Sequence, residues 1–147
     1  MNRPALFVLP FACAVVTGCS QSDGIDTAGA VYDGIAVEET ITLTGTEPFW
    51  GLEIGPTEDG ASSARFTSPT DIDGSEFEAR RFAGNNGLGF SGELDSKPVQ
   101  IAITPGECSD GMSDRTYPFA ATVALGDTTL LGCAFTKTKP FSGPNAP

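Results

Sequence analysis

Hydrophobic and polar residues alternate along most of this chain in short runs, which is the pattern of half-buried β-strands. Val37, Ile41 and Leu43 fall on one face of the first run, with threonines on the other. Gly, Pro, Asp or Asn bounds each run, and no segment shows a sustained helical period. The pattern predicts an all-β protein, a single small antiparallel β-barrel or sandwich of about eight strands. The predicted strands cover residues 36–44, 49–54, 64–67, 76–83, 88–94, 99–104, 119–125 and 129–135.

The pair Asn86-Gly87 has the chemistry of a two-residue type I′ turn. That turn would pair Ala83 with Phe90. Because successive side chains alternate across a strand, one of the two adjacent arginines at 80 and 81 must face inward unless a β-bulge intervenes, and this register nominates Arg81. A buried arginine needs a carboxylate or carbonyl partner.

The last hairpin admits two registers, with a two-residue turn at Gly126-Asp127 or a three-residue loop over 126–128. The longer loop pairs Val123 with Leu131 and gathers every apolar side chain on one face. A slip of one residue would send that set to solvent. We therefore expect the longer loop, with Cys133 pointing inward.

The N-terminus has the features of an export signal. Residues 5–17 form an uncharged apolar run, too short to span a bilayer, after a short basic segment. The run ends in VTGCS at residues 16–20, which resembles the lipobox of bacterial lipoproteins. The resemblance implies that acyl chains such as palmitate are attached to Cys19. In enteric lipoproteins an aspartate directly after the cysteine retains the protein in the inner membrane. The residue here is Ser20, which favours the outer membrane. The alternative is an ordinary secretory signal that contains a cysteine.

Four segments follow from this organisation. We expect a lipoprotein signal peptide over 1–18, a flexible tether over 19–35, a β-barrel domain over 36–138 and a disordered tail over 139–147. The predicted location is the bacterial cell envelope, anchored by lipid and facing the periplasm.

Two of the four cysteines remain to form a bridge. Cys13 leaves with the signal peptide and Cys19 is the anchor. Cys108 and Cys133 then lie in an oxidising compartment, where a lone pair should form a disulfide. A redox-active pair is the alternative, although such pairs usually have close spacing.

Charge and composition exclude several classes of protein. The 147 residues include no histidine, which excludes Ser-His-Asp triads, Cys-His dyads and histidine metal ligands. The formal net charge of -11 disfavours nucleic acid, which is bound through basic side chains. No cofactor is predicted.

Two segments together carry a family resemblance. They are GTEPFW at 45–50 and CSDGMSDRTYPF at 108–119, the latter followed by LGCA at 131–134. The combination resembles an uncharacterised family of small proteobacterial lipoproteins over residues 43–134. These lipoproteins are in turn similar in general character to the MliC-type lysozyme inhibitors and the META/HslJ-type β-domains. The resemblance implies an envelope location and a β fold, and it supplies no catalytic residues.

The candidate binding residues come from these segments and from the inward arginine. They are Glu47, Trp50, Arg81, Ser109, Asp110, Asp114, Arg115 and Tyr117.

Each candidate has a structural alternative. Trp50 could be a core residue or a platform for a stacked ligand. Arg81 could form a structural ion pair, sit at the rim or recognise an anion. The 108–117 loop could be a self-contained turn, a calcium site that includes Glu107, or a surface for a partner.

We expect a non-enzymatic binding or inhibitor module of the envelope, steered towards a basic protein such as lysozyme by its acidic charge. The alternatives are a small-ligand-binding protein or hydrolase that uses Glu47, Asp110 or Asp114, and a structural envelope protein.

Overall fold

A computed structural model describes residues 34–144, and these residues form a closed antiparallel barrel of eight strands. Each strand pairs with its neighbours in the sequence, and the last strand closes the barrel against the first. The barrel confirms the predicted fold class, and all eight predicted strands are present. Their bounds are β1 Ile41–Thr46, β2 Phe49–Pro56, β3 Ser62–Ser68, β4 Asp71–Gly84, β5 Gly87–Leu94, β6 Lys97–Cys108, β7 Tyr117–Leu125 and β8 Thr128–Thr136.

Alternate side chains of every strand fill the interior of the barrel. Burying one such aliphatic or aromatic side chain contributes about 1.5–3 kcal/mol. The apolar interior therefore provides the main driving force for closure. The largest inward side chains include Ile41, Leu43, Trp50, Leu52, Ile54, Phe77, Phe90, Ile101, Ile103, Phe119 and Val123.

The β4–β5 turn lies one residue earlier than predicted. Gly84 pairs with Gly87, so the turn residues are Asn85 and Asn86, and Arg81 pairs with Phe90. The predicted pairing is wrong by two positions, a shift that leaves every side chain on its predicted face, and Arg81 does point inward. The physical reason is contact with β6: a Cβ on Gly87 would lie 2.2 Å from the carbonyl oxygen of Ile103. The glycine is therefore needed inside the sheet.

The β7–β8 hairpin has the shorter turn, and the predicted three-residue loop is wrong. Val123 pairs with Leu130, and Gly126 begins a two-residue turn with a φ of 56°. Leu131 is consequently 68% exposed, and Cys133 belongs to the outward set. Gly132 takes the inward place because the Trp50 indole fills the space there: a Cβ on Gly132 would lie 2.7 Å from that ring.

Cys133 is nevertheless fully buried, because a small second layer covers the outside of the barrel. In this layer the rings of Tyr117, Phe135 and Phe141 pack against one another with centroids 5.2–5.9 Å apart. Phe141 belongs to the segment that was predicted to be a disordered tail from residue 139. From there to residue 144 the chain instead packs on the barrel, and Ser142 forms a β-bridge with Thr116.

The segment before β1 contributes a side chain to the core of the barrel. Ile35 is 1% exposed and belongs to the core, so the packed domain includes a residue that was assigned to the tether. The predicted signal peptide, Cys19 and the rest of the tether lie outside the described residues. Within residues 34–144, no helix is long and apolar enough to cross a membrane.

Candidate functional site

The two segments that carry the family resemblance meet on the outside of the barrel. The Thr46 hydroxyl donates a hydrogen bond to the backbone carbonyl of Asp110 at 2.8 Å, although the two residues are 64 positions apart. The β6–β7 loop, residues 109–116, therefore lies against the β1–β2 turn. Thr46 was not among the candidate residues, although it belongs to the GTEPFW segment that drew attention to this turn.

The β1–β2 turn presents neighbouring side chains in opposite directions. Glu47 is exposed at its tip, where the Glu47–Pro48 peptide is cis. Trp50 points inward and is only 5% exposed, with its ring stacked on Phe66 at 6.4 Å. Trp50 is thus a core side chain rather than an open stacking platform. Its indole Nε1 has no hydrogen-bond partner within the described part of the chain.

Asp110 organises the β6–β7 loop through its own carboxylate. Oδ1 accepts hydrogen bonds from the backbone N–H groups of Met112 and Ser113, and Oδ2 accepts from the hydroxyls of Ser113 and Tyr117. The hydrogen bonds from Ser113 are the main cause that lowers the pKa of Asp110 to about 2. Because this value lies below the ordinary one, ionised Asp110 stabilises the loop at neutral pH, and that contribution is lost as the pH falls through about 2.

This geometry favours the turn interpretation for Asp110 and weakens the hydrolase alternative for the same residue. A carboxylate that accepts three hydrogen bonds from its own loop and a fourth from Tyr117 is not free to bind a substrate. A general acid or base also works best with a pKa near the operating pH. The charge of Asp110 therefore stabilises the folded loop instead of facing a ligand.

The other predicted loop residues divide into exposed and locking positions. Ser109 and Asp114 are exposed, and Ser109 Oγ accepts from the N–H of Gly111 at 3.2 Å. Arg115 holds the C-terminal segment: its Nε donates to the carbonyl of Pro144 at 2.9 Å, and its guanidinium lies 4.6 Å from the centre of the Phe141 ring. Phe141 was not a candidate, and no motif pointed to it.

The disulfide and Tyr117 hold the two ends of the loop to the barrel. Tyr117 is buried, and its hydroxyl reaches Asp110 at 3.2 Å. Cys108 and Cys133 are bonded with their sulfur atoms 2.02 Å apart, as predicted from the cysteine count. The loop is consequently fixed at its start by the disulfide, across its middle by the hydrogen bonds from Met112 and Ser113 to Asp110, and at its end by Tyr117.

Arg81 belongs to a different part of the molecule. Its Nη2 donates to the carbonyl of Ile35 at 2.9 Å, which provides the expected carbonyl partner and ties the segment before β1 to the barrel. Burial is the largest influence on the pKa of Arg81 and lowers it, against an opposite effect of Glu38 and Glu39. The cavity beside it has a volume of only about 10 Å³. That is room for about one water molecule, too little for an organic anion.

No family model, curated protein or solved structure matches this chain. The resemblance to small lipoproteins therefore stays a prediction from the two motifs. Within the described residues, no group of three or more Asp, Glu, Cys or His side chains is placed to hold a metal ion. What the site offers chemically is a polar loop with one exposed carboxylate, on Asp114, and the exposed hydroxyl of Ser109.

Proposed function

We propose that this protein is a lipid-anchored binding or inhibitor module of the bacterial envelope and not an enzyme. The observation that supports the proposal best is the pre-organised β6–β7 loop, which is fixed by a disulfide and by the hydrogen bonds of Asp110. A loop that is already ordered loses little conformational entropy when a partner binds.

The proposed partner is a basic protein such as lysozyme. Without Arg3, which lies in the predicted signal peptide, the chain carries 7 basic and 19 acidic residues. Such an excess attracts cationic partners and increases their association rate at low salt. Ser109 and Asp114 would supply exposed contacts on the loop, and Glu47 would extend them across the neighbouring turn.

The anchor part of the proposal is tested by replacing Cys19 with serine. Acylation at this residue would hold the protein in the membrane fraction, since two or more acyl chains give stable anchoring. We therefore expect Cys19→Ser to move the protein into the soluble fraction, while the mature wild type carries the mass of its acyl chains. A variant that stays in the membrane fraction, with no acyl mass on the wild type, would exclude a lipoprotein.

The binding part is tested with Asp114→Asn. This carboxylate is exposed, and a charge at the rim of an interface acts mainly on the association rate. We expect association with lysozyme to slow by about two- to fivefold at low salt, and the difference to shrink at high salt. The measurement is surface plasmon resonance at two ionic strengths, with enzymatic inhibition of lysozyme assayed in parallel.

The matched control is Glu93→Gln, which removes one exposed charge from β5 rather than from the loop. It should leave most of the association rate unchanged. Asp110→Asn is unsuitable as a binding test, because it would disturb the loop itself. Equal rates for wild type and Asp114→Asn at low salt, with unchanged melting temperatures, would exclude the loop as the recognition surface.

A further inference from the structure

We propose that the depression beside the β1–β2 turn, walled by Phe49 and Ile72, is an anchor pocket for an apolar side chain within a basic polypeptide segment. This inference rests on the proposed binding function and assigns it a second contact area. We call this depression the Phe49–Ile72 pocket. It has a volume of about 400 Å³, within the range of pockets that hold small ligands.

A row of small side chains on three neighbouring strands creates the hollow. Thr44, Gly51 and Thr67 lie side by side across β1, β2 and β3. Gly51 has no side chain to fill the space, and the Thr67 hydroxyl donates to its carbonyl at 3.3 Å. A Cβ on Gly51 would lie 2.7 Å from that hydroxyl oxygen, so a larger residue there would collide with its neighbour.

Two large apolar side chains stand exposed at the edges of this hollow. Phe49 is 56% exposed and Ile72 is 81% exposed, and Pro69 from the turn between β3 and β4 completes the lining. Single exposed hydrophobic residues are common on protein surfaces. Two that line one depression are a feature of ligand or protein interaction sites.

The charges around the pocket select the partner. None of the lining residues is charged. Two exposed carboxylates stand close to the walls in the sequence, Glu47 two positions before Phe49 and Asp73 directly after Ile72. The carboxylate of Asp71 is not counted with them, because it accepts hydrogen bonds from the Gly74 N–H and the Ser75 hydroxyl. An apolar side chain with lysine or arginine neighbours would therefore place its hydrophobic group in the pocket and its charges against the rim.

The same charges disfavour two other occupants. A second copy of this chain would bring Glu47 and Asp73 of both copies together, and like charges placed opposite each other in an interface disfavour the complex. A membrane with anionic lipids would repel the acidic rim in the same way. A basic polypeptide is the occupant that satisfies both the apolar walls and the acidic rim.

The pocket and the β6–β7 loop both adjoin the β1–β2 turn. Thr46 pairs with Phe49 across the β1–β2 turn, and the Thr46 hydroxyl holds the carbonyl of Asp110. A partner that touches the loop could thus reach the pocket across a single turn. Apolar anchors in pockets commonly supply much of the binding energy of an interface, whereas exposed rim charges mainly affect the association rate.

The test uses two labelled peptides of equal charge, in which a central phenylalanine or a central alanine is flanked by two lysines on each side. We expect the purified protein to bind the phenylalanine peptide more tightly by fluorescence anisotropy. Emission of Trp50, the single tryptophan, should change on binding because Trp50 lines the pocket. Phe49→Ser combined with Ile72→Ser should lower the affinity for the phenylalanine peptide about tenfold or more.

Phe82→Ser is the matched control, because Phe82 is 50% exposed and lies on β4 away from the pocket lining. It should leave the affinity unchanged. Equal affinity for the two peptides would overturn the inference, as would equal weakening by the control and the double variant. A wild-type dimer that the double variant dissociates would overturn it in favour of self-association. Vesicle binding that the double variant abolishes would overturn it in favour of a lipid surface.

The two proposals fail in different measurements. If lysozyme association depends on Asp114 but the double variant binds the phenylalanine peptide as tightly as the wild type does, only the pocket is excluded. The opposite result is also possible: the phenylalanine peptide requires Phe49 and Ile72, while lysozyme does not bind or binds equally well to Asp114→Asn. The pocket then stands as a basic-peptide site. Lysozyme recognition by the loop is then excluded.

Discussion

Replacing Trp50 with alanine should lower the free energy of unfolding by about 3–5 kcal/mol, as large-to-small changes at buried aromatic positions do. The indole reaches from β2 over Gly45 on β1 and Gly132 on β8, whose missing side chains make room for it. These glycines cannot fill the space that alanine would leave. The change is measurable by urea denaturation followed by far-UV circular dichroism.

Leu131→Ala is the control for the Trp50 experiment, because Leu131 is a large apolar residue that is 68% exposed. It should cost no more than about 0.5 kcal/mol, the usual scale for surface substitutions. A loss below about 1 kcal/mol for Trp50→Ala would contradict the core role of the tryptophan.

Removing the disulfide should have an effect of similar size. Cys108→Ala combined with Cys133→Ala should reduce the free energy of unfolding by about 3–4 kcal/mol, on the loop-entropy estimate for a bridge of this span. The bridge joins residues 25 positions apart and restricts the unfolded chain. Cys133 is also fully buried beneath the second layer, so the smaller side chain would leave space there. Denaturant unfolding of both proteins under oxidising conditions measures the difference.

Chemical reduction provides an independent comparison for the disulfide. Reduced wild-type protein should approach the stability of the double alanine variant, because both lack the covalent link. Loss of less than about 1 kcal/mol in both would show that the other contacts of the loop suffice without the bridge.

The sequence by itself determined the elements of this fold, because their signals are local. Alternation of apolar and polar residues within each run marked all eight strands. Their ends were predicted less well, because β1 begins at Ile41 rather than at residue 36, β4 begins at Asp71 rather than at residue 76 and β6 extends to Cys108 rather than to residue 104. Cysteine arithmetic identified the pair Cys108 and Cys133 without knowledge of the barrel. The inward direction of Arg81 was also predictable, since the alternation of faces survives a register error of two residues.

Part of the candidate site could also be predicted from the sequence. The motifs located the β1–β2 turn and the β6–β7 loop, and the two segments do meet. Which atoms meet could not be predicted, because Thr46 and Asp110 are joined only when the barrel closes. The aromatic contacts of Phe141 had no sequence signal, since a single phenylalanine in a Pro- and Gly-containing segment has no periodic pattern.

Only the tertiary structure decided the registers of two hairpins and the boundary of the folded domain. The number of apolar side chains gathered on one face of the hairpin favoured an inward Leu131. The interior beside β8 is instead occupied by the Trp50 ring from β2, so Gly132 faces inward. Gly87 was needed against β6 rather than in a turn. Both outcomes have one physical reason: a strand's register depends on the space that other strands leave for its side chains, and that space is not encoded in the strand's own residues.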